Sequence, residues 1–314
     1  MADISATLPR PKIPVWRTAY DGYRLGIGAI FSSGIMFRYF VYGSLAIIVA
    51  TGALFYISVM TQSWLSSAAG GLERTLALAA MIVSAYLAYA ALAATQTPLG
   101  VVFQRHMLLD EPPRHPYFAY WATSYGRRFF WVSAAVYGFF FVAGLVHVPF
   151  ILLFYGTDPF DQVAISTLFT TTPSALLAFV AVYVLSLLCA SLLAARSSLA
   201  FPIAAAGRPG SAMRQSFAES RGAMWRLFFV FALIYVPAFV AYFIAIMIVT
   251  VTFVIQNPGL VEAGADPFGA MNPGLFTSPA FIIGAIIALI AFTLSQVAMV
   301  AAAARAYQNK PTTG

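Results

Sequence analysis

The sequence predicts an all-α, polytopic membrane protein with six transmembrane helices, arranged as three hairpins with cytoplasmic interfacial helices. Three observations predict this class. The chain is 61% hydrophobic and only 9% charged, and its mean hydropathy is +0.85. Six apolar stretches are long enough to cross a hydrocarbon core, which takes about 20 residues. Soluble globular domains contain about 25% charged residues. The composition of this chain therefore excludes a soluble globular domain.

The six predicted spans contain no Asp, Glu, Lys or Arg. The third and fifth are long, which favours tilt, and Pro237 in the fifth is expected to kink it. The first is too long for the core of a signal peptide, so we expect it to remain as the first transmembrane helix. The windows are 39–60, 76–94, 129–154, 174–195, 227–255 and 281–303.

The positions of Lys and Arg predict the orientation of the spans, because basic residues beside a span are retained in the cytoplasm. With the N-terminus inside, sixteen of the seventeen Lys and Arg residues lie on cytoplasmic segments, and Arg74 is the exception. Under the same orientation the acidic residues divide evenly between the two sides. We therefore expect a cytoplasmic N-terminus and a cytoplasmic C-terminus.

Two outer loops share a pattern of residues. Duplication of a transmembrane hairpin would place the same pattern in both loops, so the shared pattern predicts an internal repeat. Convergence of loop chemistry is the alternative, because Asp-Pro, Thr-Pro and Ser-Pro pairs are ordinary turn and helix-start signals. The two copies are Gly156-Thr-Asp-Pro-Phe160 with Leu168-Phe-Thr170 and Pro173, and Gly264-Ala-Asp-Pro-Phe268 with Leu275-Phe-Thr277 and Pro279.

We predict a single membrane domain, 1–314, built from three hairpin units, 1–97, 116–196 and 211–305. Each unit begins with a cytoplasmic segment of amphipathic helical spacing, with arginines beside a stripe of large apolar residues. Such segments are typical of helices that lie in the headgroup layer. The stripes are Trp16, Tyr20 and Tyr23; Phe118, Trp121 and Tyr125; and Met213, Phe217 and Met224.

The arginines of these segments are the candidate site residues. We expect them to contact anionic lipid headgroups, or else a membrane-protein partner. The net charge of +7 does not indicate nucleic-acid binding, because the basic residues stand between apolar runs. The candidates are Arg17, Arg24, Arg127, Arg128, Arg214, Arg221 and Arg226.

Three segments resemble a known group of sequences: Arg196-Ser-Ser-Leu-Ala-Phe-Pro202, Ser216-Phe-Ala and Arg221-Gly-Ala-Met-Trp-Arg226. With the six-helix layout they resemble the uncharacterised membrane domains found beside glycerophosphodiester phosphodiesterases and in related bacterial inner-membrane proteins. Arg105-His-Met-Leu-Leu-Asp-Glu-Pro112 is similar to a segment of uncharacterised alphaproteobacterial membrane proteins. The resemblance implies the bacterial inner membrane. It implies no reaction, because the catalytic domain of those phosphodiesterases is a separate soluble barrel.

The second cytoplasmic connection has the densest group of polar residues. On a helix, His106 and Asp110 would share a face, but Pro112 ends such a helix and the spacing matches no standard zinc pattern. A solvated loop is the favoured interpretation, with a docking or anion-binding patch and a metal or acid/base site as alternatives. The group is Arg105, His106, Asp110, Glu111, Arg114 and His115. We expect no catalytic residue, no metal and no cofactor.

Some single residues inside or beside the spans need an explanation. His147, near the outer end of the third span, is interpreted as an interfacial or packing histidine, with a substrate or proton ligand as the alternative. Gln296 in the sixth span is expected to form an interhelical hydrogen bond, or else to contact a pore or substrate. Gly26 and Gly28 are interpreted as helix-packing or turn glycines, because the pattern lacks the third glycine of a dinucleotide loop.

The function predicted from these patterns is a non-enzymatic integral inner-membrane protein: a scaffold, assembly or lipid-environment accessory factor. The alternative is a permease or channel for a lipid or small apolar solute, with a path between the hairpins. The permease requires a cavity or groove at membrane depth.

Overall fold

The computed structural model describes residues 13–67, 71–157, 162–256 and 279–308. Within these ranges the chain is helical and contains no β-strand. The helices are α1 (Val15–Ile30), α2 (Gly34–Ser67), α3 (Gly71–Leu109), a 3-10 helix (Tyr117–Ala122), α4 (Ser124–Leu145), α5 (His147–Tyr155), α6 (Gln162–Thr171), α7 (Pro173–Ser197), α8 (Ala200–Ala205), α9 (Ala212–Glu219), α10 (Met224–Gln256) and α11 (Pro279–Gln308).

Six helical stretches in the described part of the chain are long and apolar enough to cross a membrane. Each overlaps one of the predicted windows, although the bounds differ, so the all-α, polytopic fold is confirmed. The stretches are Gly34–Ala53, Thr75–Leu109, Ser124–Tyr155, Pro173–Ala205, Met224–Ala245 and Ile282–Gln308.

The third span is divided into two helices where one was expected. α4 ends at Leu145 and α5 begins at His147. Pro149 explains the break, since proline has no N–H to donate to the carbonyl four residues earlier, at Leu145, and its ring crowds that carbonyl. The side chain of His147 lies outside what the structure describes, so its role stays a prediction.

Only part of the repeated pattern lies within the described residues. Pro173 and Pro279 begin α7 and α11, as expected of helix-starting prolines. Residues 158–160 of the first copy and residues 264–268 and 275–277 of the second lie outside the described ranges. The duplication therefore stays a prediction.

Five long helices form a closed ring in the order α3, α4, α7, α10 and α11, with α11 packed back on α3. α2 packs mainly on the outside of α3, and α1 packs across α11 and α10. The short α8 contacts α3, α4 and α11 at one end of the ring. All six residues of α8 are buried, so this helix closes that end.

The long connections of the predicted cytoplasmic side are more ordered than their polar residues indicate. α3 continues to Leu109, and its residues Thr97, Phe103 and Gln104 have no exposed surface. The connection between α7 and α10 contributes α8 and α9. The main buried clusters of the protein include residues from these two segments, so the tightest packing lies at this end of the bundle.

Glycines allow α1 to approach α11 closely. A Cβ at Gly22 would lie 2.8 Å from the Ala298 carbonyl oxygen, and one at Gly26 would lie 3.2 Å from Ala298 Cα. A Cβ at Gly28 would meet nothing within 4 Å. Gly26 is therefore a packing glycine, as predicted, whereas the packing explanation is wrong for Gly28.

A helix is present at each predicted interfacial segment, but the predicted stripes are not single exposed faces. Trp16 and Tyr20 are 76% and 67% exposed. Tyr23 stands at the border with the buried face of α1, and its hydroxyl donates to the Ile234 carbonyl. Burial raises the pKa of the Tyr23 phenol, which keeps it a donor.

In the other two segments an aromatic ring also faces the protein. The guanidinium of Arg105 lies 4.2 Å from the centre of the Tyr125 ring, and that of Arg196 lies 4.6 Å from the centre of the Phe217 ring. These cation–π contacts join helices within the bundle, so Tyr125 and Phe217 are not headgroup-facing residues.

Candidate functional site

A cavity of about 570 Å³ lies inside the ring of five helices. Phe201 of the buried α8 lines one end of it. Its walls are mostly apolar, and eight phenylalanines from five helices contribute: Phe103, Phe129, Phe140, Phe201, Phe228, Phe231, Phe239 and Phe292. Most ligand pockets have volumes of about 300–1,000 Å³ and apolar, aromatic walls, so this cavity has the size and character of a small-molecule site.

Helical spacing places the lining residues of each helix on one face. On α3, Gln96, Gly100 and Phe103 follow one another at intervals of four and three residues, which is the spacing of one helix face. A Cβ at Gly100 would clash with the Phe129 ring. Glycine at this position therefore lets α4 pack closely on α3 while both helices face the cavity.

Two hydrogen-bonded pairs bring polar groups to the cavity wall. The Tyr137 hydroxyl donates to Gln96 Oε1 over 2.6 Å and joins α4 to α3. Gln296 Nε2 donates to the Tyr235 hydroxyl over 3.0 Å and joins α11 to α10. The interhelical hydrogen bond expected of Gln296 is confirmed. Polar side chains in an apolar interior need such partners, because desolvating them unpaired is costly.

One of these polar groups lacks a partner. Gln96 is 9% exposed, and its Nε2 atom is buried with no hydrogen-bond acceptor. An unsatisfied buried donor costs about 1–3 kcal/mol. The Nε2 atom is enclosed by protein, so an oxygen acceptor on a molecule inside the cavity would satisfy it once the amide group turns towards the cavity.

The cavity opens towards α10. Ala232 and Phe239 line it and are also exposed, with Phe239 exposed by 62%. Both residues belong to a membrane-spanning stretch. The opening therefore faces the hydrocarbon of a surrounding bilayer.

The structure separates the predicted arginine sites from this cavity. Six of the seven arginines are exposed and Arg226 is half-buried, and none of the seven lines the cavity. Arg17 and Arg24 come together at a second, polar groove between α1 and α11. Arg128 donates to the Arg208 carbonyl over 2.6 Å, so it ties α4 to the segment after α8.

The polar group of the second connection is organised around Arg105. Its guanidinium donates to Glu111 Oε2 over 2.6 Å and to the Ala205 carbonyl over 2.6 Å. With the Tyr125 contact, these bonds tie the end of α3 to α4 and α8. The arrangement differs from the favoured solvated loop, because Arg105 pairs inside the protein, where its charge is compensated.

The remaining members of this group do not converge with Arg105 on one site. α3 ends at Leu109, and Asp110 has a left-handed φ of 52°, so His106 and Asp110 do not share a continuous helix. The His115 ring packs edge-on against Tyr120 at 5.4 Å between centroids. Burial raises the pKa of the Tyr120 phenol. Among the described residues, no three His, Cys, Asp or Glu side chains are placed to hold a metal ion.

The sequence pattern singles out Gln296 but not Gln96, Tyr137 or Tyr235. Gln96 lies beyond the predicted window 76–94 and inside the longer span Thr75–Leu109, and Tyr137 and Tyr235 are ordinary aromatic residues within apolar stretches. The signal that finds these residues is an uncharged hydrogen-bonding side chain within an apolar stretch. Such a side chain needs a polar partner on a neighbouring helix or in a bound molecule. The unpaired amide of Gln96 depends on tertiary packing, which no sequence pattern specifies.

A scan against protein-family models, a search of curated proteins and a search of solved structures found no match to this chain. The resemblance to the six-helix membrane domains stays a prediction.

Proposed function

We propose that this protein is a permease that binds a lipid chain or small apolar solute in its interior cavity, and that it is not an enzyme. The observation that carries the proposal is the apolar cavity of about 570 Å³ with the unpaired amide of Gln96 in its wall. This function was the alternative in the sequence analysis, and the cavity meets the requirement stated for it there.

The lining specifies the chemistry of the ligand. Phenylalanine rings and aliphatic side chains favour an apolar body by removing its surface from water. If its amide group turns towards the cavity, the free Nε2 of Gln96 favours an oxygen acceptor, such as an ester, ketone or ether oxygen. A ligand with both features fits the cavity, and the opening beside Ala232 and Phe239 gives it a route from the bilayer.

The membrane context belongs to the same proposal. The protein lies in the bacterial inner membrane with both termini in the cytoplasm. Support comes from the basic residues at the ends of α3 and α7 and at the starts of α4 and α10, which lie on one side under the rule for basic residues. In that orientation the cavity lies in the cytoplasmic half of the spans, because Phe129 follows Arg128 and Phe103 precedes Arg105 closely.

A cavity-filling variant tests the proposal. Ala194 of α7 lines the cavity, so Ala194→Phe places a ring inside it. Ala181 of the same helix is exposed and outside the lining, which makes Ala181→Phe the matched control. The protein is extracted with its surrounding lipid in a detergent-free polymer, and native mass spectrometry measures retained small molecules.

We expect the wild-type protein and Ala181→Phe to retain one molecule per chain. Ala194→Phe should retain about tenfold less, which corresponds to about 1.4 kcal/mol of binding free energy. Equal retention by the two variants, or no stoichiometric molecule on the wild-type protein, would contradict the proposal.

A second candidate is an accessory or assembly factor that contacts anionic headgroups or a protein partner. The observation that favours it is the exposure of Arg127, Arg128, Arg214 and Arg221. The test replaces Arg127, Arg128, Arg221 and Arg226 with Gln and measures co-purifying proteins and anionic lipids. Unchanged co-purification would count against this candidate.

A further inference from the structure

A second concave site lies at the arginine-rich end of the bundle. It is a groove of about 670 Å³ between α1, the end of α3 and the end of α11. We call it the α1–α11 groove and define it by Arg17, Asp21, Arg24, Ser32, His106 and Arg305. The hydrogen-bonding network of the interior cavity does not include these residues.

The groove carries an excess of positive charge. α1 places Arg17, Asp21 and Arg24 on one face, at intervals of four and three residues. Arg305 of α11 stands opposite them, so three guanidinium groups face a single carboxylate. Arg17 and Arg24 are exposed and can therefore reach a ligand that enters the groove.

The internal ion pair of the groove is incomplete. Arg305 Nε lies 3.8 Å from Asp21 Oδ2, which is too long for a hydrogen bond. Arg305 Nε is buried without a hydrogen-bond partner, and so is Nδ1 of His106. The charge of Arg305 is therefore only partly compensated inside the protein, which favours an anion in the groove. Nδ1 of His106 is a donor in one tautomer and an acceptor in the other, so the arginines are the groups that favour an anion.

The groove also has room for such a ligand. A Cβ at Gly28, which lines it, would meet nothing within 4 Å. The hydroxyl of Ser32 lies 3.4 Å from His106 Nε2 at the edge of the groove. Hydroxyl, imidazole and guanidinium groups are hydrogen-bonding partners for phosphate oxygens, and arginine matches phosphate with two parallel bonds.

We propose that the α1–α11 groove binds a phosphate group, carried either by an anionic phospholipid headgroup or by a soluble phosphate ester. Arg17, Arg24 and Arg305 neutralise the phosphate, and Asp21 competes with it for Arg305. From the sequence, headgroup contacts are expected at seven arginines in general, whereas the proposed phosphate site is formed by named residues of one groove. It does not depend on a ligand in the interior cavity.

The neighbouring surface of α1 is suited to the headgroup layer. Trp16 and Tyr20 are exposed on α1 beside the groove, and amphipathic aromatic side chains are enriched at membrane–water interfaces. A test of the proposal must therefore measure binding of a phospholipid and of a soluble phosphate ester separately.

The test measures binding by the full-length protein in neutral detergent. One arm titrates dioleoyl phosphatidylglycerol, with dioleoyl phosphatidylcholine as the zwitterionic reference, and reads occupancy by native mass spectrometry. The other arm titrates glycerol 3-phosphate and uses calorimetry. The variant is Arg24→Gln with Arg305→Gln. The charge-matched control is Arg38→Gln with Arg208→Gln, two exposed arginines outside the groove and outside the candidate headgroup contacts.

We expect the groove variant to lose about tenfold in affinity for the phosphate ligand, the size of a charge-assisted contact, while the control changes little. Loss confined to phosphatidylglycerol assigns the site to a lipid, and loss confined to glycerol 3-phosphate assigns it to a soluble ester. Loss in both arms supports the shared phosphate chemistry. Equal effects of the two double variants would overturn the proposal.

A third variant keeps the proposal testable if the arginine variants fold poorly. Asp21→Asn removes the internal competitor for Arg305, so it should tighten phosphate binding several-fold, by about the strength of a partly exposed ion pair. Binding that is unchanged or weaker in Asp21→Asn would also overturn the proposal.

Discussion

At the residue scale, the Gln96–Tyr137 pair separates ligand binding from stability. The pair is held by one hydrogen bond of 2.6 Å, and Gln96 Nε2 is buried without a partner. Replacing both partners of a buried hydrogen bond with apolar groups is close to neutral, and removing an unsatisfied donor recovers about 1–3 kcal/mol. The pair can therefore be replaced with little effect on stability, so that a loss of retained ligand reports on the cavity.

We therefore predict that Gln96→Leu with Tyr137→Phe melts at the same temperature as the wild-type protein or higher, and retains about tenfold less cavity ligand. Thermal unfolding in detergent and native mass spectrometry measure the two effects. Tyr137→Phe alone is the control, because it leaves Gln96 Oε1 unpaired and should lower stability by about 1–3 kcal/mol. Wild-type ligand retention by the double variant would assign Gln96 to packing.

At the element scale, the docking of α1 depends on the absence of side chains at two positions. A Cβ at Gly22 would lie 2.8 Å from the Ala298 carbonyl oxygen and 2.9 Å from Ala302 Cβ. We predict that Gly22→Ala destabilises the docked helix by about 1–3 kcal/mol, the usual effect of overpacking. Hydrogen exchange of the α1 amides measures the change.

Gly28→Ala is expected to change the stability of the same helix in the opposite direction. Its Cβ would meet nothing within 4 Å, and alanine is a better helix former than glycine by about 1 kcal/mol. Slower exchange in Gly28→Ala and faster exchange in Gly22→Ala are the expected pair of results. Equal behaviour of the two variants would contradict the close approach of α1 to α11.

Some features of the elements could be predicted from the sequence and others could not. Apolar length predicts the six spans because the hydrocarbon core has a fixed thickness, and Pro173 and Pro279 mark two helix starts. The break before α5 could also have been predicted, since Pro149 removes a helical hydrogen bond. The burial of α8 could not be predicted, because Ala200–Ala205 would be apolar in contact with lipid as well as with protein.

At the scale of the whole molecule, the distribution of basic residues predicts the orientation. The test uses single cysteines in a Cys189→Ser background, at two exposed positions, Ser124 and Ser174. A membrane-impermeant maleimide should label Ser174→Cys from the outside of intact spheroplasts, and label Ser124→Cys only in inverted vesicles. The reverse pattern would invert the topology and place the cavity in the outer half of the bilayer.

The fold class could be predicted from composition, but the candidate site could not. Hydropathy reports on the exchange of water for lipid and is insensitive to which helices are neighbours. The ring of α3, α4, α7, α10 and α11, and therefore the cavity, depends on side-chain packing. Gln296 was singled out because a polar amide in a span needs a partner, whereas the partner itself, Tyr235, became visible only in the structure.

The most direct test of the central claim is an electron cryo-microscopy structure of the wild-type protein in discs that retain its native lipids. We predict elongated density inside the five-helix ring, with an oxygen atom within hydrogen-bond distance of Gln96 Nε2. A cavity filled by the protein's own side chains, with Gln96 Nε2 paired to a protein acceptor, would contradict the account.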